Sequence, residues 1–299
     1  MAKLCEGRVA IVTGGGGGIG REHALMLAAH GAKVVVNDLG TARDGTGKSI
    51  SAAQSVVDEI KKAGGEAVAN GDDVSDWNGA KSMVDQAVKT FGKLDAVVNN
   101  AGILRDRMLV NMSEDEWDAV IKVHLKGTFA PTRHAAAYWR DRNKETGQPV
   151  NGRIINTSSA SGLFGNVGQT NYGAAKAAIA AFSIIAAREL GRYGVTVNAI
   201  SPHAQTRMTE GLRPRSEEEK ERRHPRFVSP IVVWLVSEQS NGVTARVFDS
   251  GAGKVYVMEG WRLGPEATQE DDPVALGPLV PDIVKRARKN SNMMGQELD

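Results

Sequence analysis

The chain of 299 residues contains one cysteine, Cys5. An internal disulfide and a cysteine-rich zinc site are therefore excluded, and so sparing a use of cysteine suits a reducing compartment. Charge of one sign is also missing in bulk: 37 Lys and Arg face 35 Asp and Glu, for a net charge of +2. No global field draws such a chain to nucleic acid or to an anionic membrane. Long apolar runs are absent too. Residues 231–236 are far too few to span a bilayer, and the richer stretch 174–187 carries Lys176, so it reads as a buried helix. Gly7 and Arg8 are reached without an apolar stretch, so no secretory signal is expected. Glu297-Leu-Asp299 matches no peroxisomal or retention address. These absences point to a cytoplasmic protein with no metal, membrane or nucleic-acid partner.

What is present is alternation. Short apolar segments at 8–13, 33–37, 67–70, 94–98, 153–156 and 195–200 read as buried strands. Between them, 21–30, 50–63, 78–91 and 171–190 have helical periodicity, several ended by glycine. Ser113 with Glu116 three residues on opens a further helix with a capping box. That helix should run on toward Asp141 with a kink at Pro131. Strict alternation implies an α/β fold: a single-domain, Rossmann-type doubly wound parallel sheet with helices on both faces. Its ligands bind at the carboxyl ends of the strands. There is no internal repeat. One domain is expected over 1–264, with a substrate cover at about 203–228 that includes the charged stretch 211–226. A tail, 265–299, which starts with the proline-rich, acidic stretch 265–281, should pack on the domain or on a neighbouring subunit.

Between the first strand and the first helix lies Thr13-Gly-Gly-Gly-Gly-Gly-Ile-Gly20. A backbone that approaches a diphosphate closely needs residues without side chains, and helix-terminal N–H groups then face the anion. Gly14, Gly18 and Gly20 can supply this; Gly15, Gly17 and Gly20 fit the G-x-G-x-x-G spacing equally. Asp38 ends the second strand, 20 residues after Gly18. A carboxylate there accepts hydrogen bonds from adenosine ribose hydroxyls and repels a 2′-phosphate. Gly15 and Leu39 supply no compensating base, and Arg43 lies in a loop. The cofactor expected is NAD rather than NADP.

Tyr172 and Lys176 are spaced i, i+4 on a helix, and Ser159 precedes Tyr172 by 13 residues. A free tyrosine has a pKa of about 10 and is a poor base near neutrality. A cation one turn away should favour the phenolate. Tyr172 could then exchange a proton with a substrate oxygen as hydride moves at carbon, while Ser159 stabilises charge on that oxygen. The competing reading of the Tyr/Lys pair, a solvated surface pair, loses weight because strand, serine, tyrosine and lysine follow in one βα unit.

As a set, Thr13-Gly14…Gly18-Ile19-Gly20, Asp73-Val74, Asn99-Asn100-Ala101-Gly102, Ser159 and Tyr172…Lys176 resemble the short-chain dehydrogenase/reductase family over roughly the first 250 residues. The resemblance implies cofactor contacts from Ile19, from Asn100, Ala101 and Gly102 on the adenosine side, and from Asp73 and Val74 at adenine. It implies that Tyr172 and Lys176 reach the nicotinamide ribose, and that Ala204 and Thr206 flank the nicotinamide amide. Two positions depart from the family pattern. His124 stands where an asparagine usually helps a proton relay, and it reads either as its substitute or as a structural histidine. His203 stands where glycine usually follows Pro202.

Asn37-Asp-Leu-Gly40, Asn99-Asn-Ala-Gly-Ile-Leu-Arg-Asp-Arg107, Val123-His-Leu-Lys-Gly127, Ser159-Ala-Ser-Gly162 and Arg207-Met-Thr-Glu210 are similar to the dehydrogenase domain of type 2 peroxisomal multifunctional enzymes and their stand-alone bacterial relatives. That likeness implies oxidation of a (3R)-hydroxyacyl-CoA, or of a hydroxysteroid, with NAD. Acyl-CoA phosphates would meet Arg105 and Arg107, or Arg213, Arg215, Arg222 and Arg223. The last group shares its segment with Glu217, Glu218, Glu219 and Glu221, which favours a salt-bridged helix. A steroid would need an apolar slot, to which Leu163, Phe164, Met208 and Phe227 could contribute. The alternatives are an NADPH-dependent 3-oxoacyl-[carrier protein] reductase, opposed by Asp38, and a non-catalytic NAD-binding scaffold, opposed by the intact Ser159, Tyr172 and Lys176. The resemblance also implies a homotetramer built through the helices bearing His124 and Tyr172.

Overall fold

The computed structural model describes residues 3–42, 44–47, 49–204, 216–269 and 273–298. The chain runs β1 (Val9–Thr13), α1 (Gly18–Ala29), β2 (Lys33–Asn37), α2 (Ser51–Lys62), β3 (Glu66–Asn70), α3 (Trp77–Phe91) and β4 (Ala96–Asn99). It continues through α4 (Glu114–Ile121), α5 (Gly127–Thr146), β5 (Gly152–Thr157), α6 (Ala160–Phe164), α7 (Thr170–Leu190) and β6 (Val195–His203). Then come α8 (Glu217–Arg222), α9 (Ser229–Val236), β7 (Val247–Gly251), β8 (Lys254–Met258) and α10 (Leu276–Arg286). The sheet order is β3-β2-β1-β4-β5-β6-β7-β8. The first seven strands are parallel, and β8 pairs antiparallel with β7.

The two-residue period of the strands divides the core. Val34 and Val36 join Leu27, Ile60, Ile155 and Leu235 on one face, where α1, α2 and α9 pack. Val35 joins Ile11, Met83, Val97, Trp139 and Ile154 on the other, under α3, α5 and α7. Burial on both faces explains why these strands read as continuous apolar runs. The order of strands reverses between β1 and β4, so the carboxyl ends of these two strands part around a crevice.

The helix expected to run from Ser113 toward Asp141 does run on, as far as Thr146, with one widened turn inside it. Ser113 and Glu116 do form the reciprocal capping box of α4. A π turn at Lys122–Lys126 then separates α4 from α5. The interruption falls upstream of Pro131, which sits inside α5. A proline ring presses on the carbonyl four residues back, here Gly127, and a widened turn just before it relieves that contact. In the charged segment, Ser216 caps α8 and Lys220 pairs with Glu217 within it, while Arg226, beyond its end, pairs with Glu221. No helix among the described residues is long and apolar enough to cross a membrane.

Candidate active site

The glycine-rich turn leaves β1 at Thr13, and two of its glycines carry positive φ, Gly14 at 63° and Gly18 at 52°. A Cβ on Gly14 would lie 2.8 Å from the Ala101 backbone, and one on Gly20 would lie 2.1 Å from the Gly14 carbonyl. Of the two glycine frames open in the sequence, the conformational demand falls on Gly14, Gly18 and Gly20. The turn is tied to the end of β4. Thr13 Oγ1 accepts from the backbone N–H of Asn100 (2.9 Å) and of Ala101 (3.1 Å). Asn100 Nδ2 donates to the carbonyls of Thr13 (3.1 Å) and Gly14 (3.2 Å).

Helix α1 begins at Gly18 with no side-chain cap, which leaves its positive end facing the crevice. Ile19 packs on the core beneath. Asp38, just past β2, accepts from Gly16 N at 2.8 Å and from Gly40 N at 2.7 Å, which fixes its carboxylate beside the turn. Asp73 is held by Ser75 through its N–H (2.8 Å) and Oγ (2.7 Å), while Val74 is buried against Gly127. A surface cavity of about 670 Å³ at this end is lined by Leu39, Asp72, Asp73, Lys122 and Lys126 among others. A glycine cradle, an uncapped helix start and a carboxylate at the end of β2 together fit a dinucleotide.

The catalytic candidates converge from β5, α6 and α7. Ser159 caps α6, with its Oγ accepting from Ser161 N at 3.2 Å. The Tyr172 hydroxyl lies beside Ser159, near enough for the serine to lower its pKa. Lys176 is 3% exposed, with Nζ 5.5 Å from the centre of the Tyr172 ring. Nζ also donates to the Thr157 carbonyl at 2.6 Å. Burial pushes Lys176 down to about 7. Burial raises Tyr172 above its ordinary range; the Ser159 hydroxyl opposes this and the Asp106 charge adds to it. The lysine was expected to acidify the phenol. Burial instead moves each group toward its neutral form.

His124 lies in the π turn and is 2% exposed. Its Nε2 is 2.7 Å from the Ile103 carbonyl and 3.1 Å from the Ile103 N–H, and its Nδ1 has no partner. Burial, and then the Lys176 charge, push its pKa down to about 3, against the Ile103 hydrogen bond; the ring is neutral at working pH. It packs edge-on against Tyr172, with centroids 5.1 Å apart, and a Cβ on Gly102 would strike it at 2.3 Å. Contacts therefore run from Gly14 through Asn100, Gly102 and His124 to Tyr172, joining the two ends of the site.

The sequence profile described as "short chain dehydrogenase" matches residues 8–218. The chain belongs to this family. A short-chain dehydrogenase of this kind is an oxidoreductase acting on CH–OH donors. It is 50% identical over 252 residues to hydroxyacyl-CoA dehydrogenase ChsB1 of Mycobacterium tuberculosis, covering 81% of this chain and 77% of that one. It is 46% identical over 275 residues to peroxisomal multifunctional enzyme type 2 of Drosophila melanogaster. That match takes in 91% of this chain and 44% of the fly protein, so this chain spans less than half of that relative. A crystal structure of a short chain dehydrogenase from Mycobacterium avium superposes with a TM-score of 0.87 at 54% identity, covering 97% and 98% of the two chains.

Some expected residues of this dehydrogenase, Arg43, Thr206, Arg207-Met-Thr-Glu210, Arg213 and Arg215, lie outside the described residues. Ala204 follows directly on β6. Arg107 pairs with Glu116 at 3.0 Å, and Arg105 donates to the Asp44 carbonyl, so these two of the candidate phosphate ligands already have partners. Sequence reasoning passed over Asn171. This fully buried asparagine donates to the carbonyls of Arg105 and Glu116 at 3.0 Å, and its Oδ1 accepts from Tyr172 N. It fixes the start of α7 under Tyr172. Its only signal was an amide side chain beside the tyrosine, in a turn otherwise made of small residues.

Proposed function

We propose that this dehydrogenase interconverts a secondary alcohol and a ketone with NAD, on a (3R)-hydroxyacyl-CoA. The observation that carries the reading is the Tyr172 hydroxyl beside Ser159 and over buried Lys176, connected by contacts to the glycine turn. Bound at that turn, NAD would supply the hydride acceptor and a positive charge that favours the phenolate. Gly14, Gly18 and Gly20 make room for its pyrophosphate, Asp38 takes the ribose hydroxyls, and Asp73, Val74, Asn100, Ala101 and Gly102 line the adenosine side. Lys176 and Ala204 serve the nicotinamide half. In oxidation the Tyr172 oxygen takes the alcohol proton. Ser159 donates to the same substrate oxygen and offsets its developing charge. His124, whose Nε2 is spent on Ile103, is assigned to hold the Asn-Asn-Ala-Gly turn and the Tyr172 ring.

NAD is favoured over NADP because a 2′-phosphate would meet the Asp38 carboxylate, which is anchored by two backbone N–H groups. The acyl-CoA class is supported by the similarity to a hydroxyacyl-CoA dehydrogenase. Trp117, Phe129 and Ile185 are exposed on α4, α5 and α7, which supports a homotetramer built through these helices. A cytoplasmic location is part of the same reading. The test follows NADH formation by purified protein with (3R)-hydroxyacyl-CoAs of several lengths, 17β-hydroxysteroids and simple secondary alcohols. An acyl-CoA should exceed the other classes by more than about tenfold in kcat/KM. Preference for a steroid, or for NADP, would overturn the corresponding part, and no turnover with any substrate would favour the scaffold.

A further inference from the structure

At the exit of β6, side chains of two strands meet beside the catalytic edge of the sheet. Asp249, on β7, is 8% exposed, and its Oδ2 takes two contacts: Ser201 Oγ donates at 2.9 Å and His203 Nε2 lies at 2.9 Å. Ser201 and Asp249 are register partners, and His203 points to the same face two residues on. The backbones also close here. His203 pairs with Gly251, whose φ is 141°, and a Cβ on Gly251 would lie 2.2 Å from the His203 carbonyl. One strand over, Ser158 N donates to the Ile200 carbonyl at 2.7 Å, so the β6 end is tied directly to the strand that presents Ser159.

We propose that His203 and Asp249 are positioning residues, whose contact fixes the exit of β6 and thereby sets Ala204 against the nicotinamide half of the cofactor. The inference rests on the proposed function above. An imidazole on Asp249 ties the last residue of the strand to a buried side chain of the next strand. A glycine at the same place would leave only backbone pairing to hold the exit. Ser201 alone still satisfies the carboxylate when the imidazole is removed, so the fold keeps its buried acceptor bonded and the effect is local.

The experiment measures binding of NADH and of ADP-ribose, which lacks the nicotinamide, to the full chain and to His203→Gly, His203→Gln and Asp249→Asn. Thermal melting serves as a check on folding. His203→Gly should weaken NADH by about tenfold, the ratio that one hydrogen bond to a charged group supports. ADP-ribose should stay within about twofold, since its contacts lie at the glycine turn and Asp38. Glutamine, whose amide nitrogen reaches the place of Nε2, should restore most of the NADH affinity. In the His203→Gly background, Asp249→Asn should add little. The inference is overturned if NADH binds all variants alike. It is equally overturned if NADH and ADP-ribose weaken together, which marks a general disturbance of the sheet, or if His203→Gln behaves as glycine does. If the unaltered protein binds neither ligand, it is the proposed function that fails.

Discussion

The two ends of the site are built from different materials. The nucleotide end is backbone: glycines with positive φ, an uncapped helix start, N–H groups held by Thr13 and carbonyls held by Asn100. The catalytic end is side chain: a phenol, a hydroxyl and an amine, set by buried neighbours such as Asn171 and His124. A backbone end fails when anything is added, because there is no room. A side-chain end fails when an atom is removed, because shape survives and chemistry does not.

Tyr172→Phe should break the catalytic end most cleanly. It removes one oxygen, so kcat should fall by about a thousandfold, within the span of general acid–base catalysis. NADH affinity should change by less than about twofold. Steady-state rates beside fluorescence titration check both, and full activity would end the proposed mechanism.

Ser159→Ala comes next, with kcat down about a hundredfold as the donor to the developing oxyanion is lost. Its pH profile sharpens the point. The Ser159 hydroxyl lowers the Tyr172 pKa, so its loss must raise it. Oxidation needs the phenolate, so the rising limb of log kcat against pH should move to higher pH in the alanine variant. A limb that stays in place, or moves down, would separate Ser159 from Tyr172.

Gly20→Ala tests the other end. Its added methyl carbon meets the Gly14 carbonyl at 2.1 Å, and overpacking of this kind costs about 1–3 kcal/mol. NADH should bind about tenfold more weakly, with kcat at saturating cofactor nearly unchanged. Calorimetry and saturation kinetics read the two separately. A matching fall in kcat would blur the division between the ends.

The same division governs how much could be read from the sequence. Strands β1 to β6 were legible to within a few residues because burial on both faces forces valine-rich runs between glycine-marked helices. Tyr172, Lys176, Ser159 and the glycines were legible because their chemistry admits few substitutes at that spacing. The later strands were not. β7, Val-Phe-Asp-Ser-Gly, is buried throughout yet spends three of its five positions on polar or small residues, and the short run of β8, Val255-Tyr-Val-Met258, is mostly exposed and stands apart from the alternation. Helix α9 is apolar nearly all round, which erases the period that would reveal it. Helix α10 contains Pro281 and starts beside Gly277-Pro278, a composition that reads as tail. The roles of Asn171 and Asp249 depend on partners far away in the chain, and no local pattern carries them.

The π turn at Lys122–Lys126 has a consequence for how this protein can change over generations. An extra residue in a regular helix rotates everything beyond it by about 100°, whereas a π turn takes the extra residue into one wider turn. All twenty residues of α5, from Gly127 beneath Val74 to Trp139 in the core, keep their facing across that one widened loop of backbone. Loss of a single codon here would close the turn to ordinary α spacing, which leaves the facing of Trp139 in place and takes His124 off Ile103. The extra residue of this turn thus serves the contact of His124 with Ile103 rather than the packing of α5.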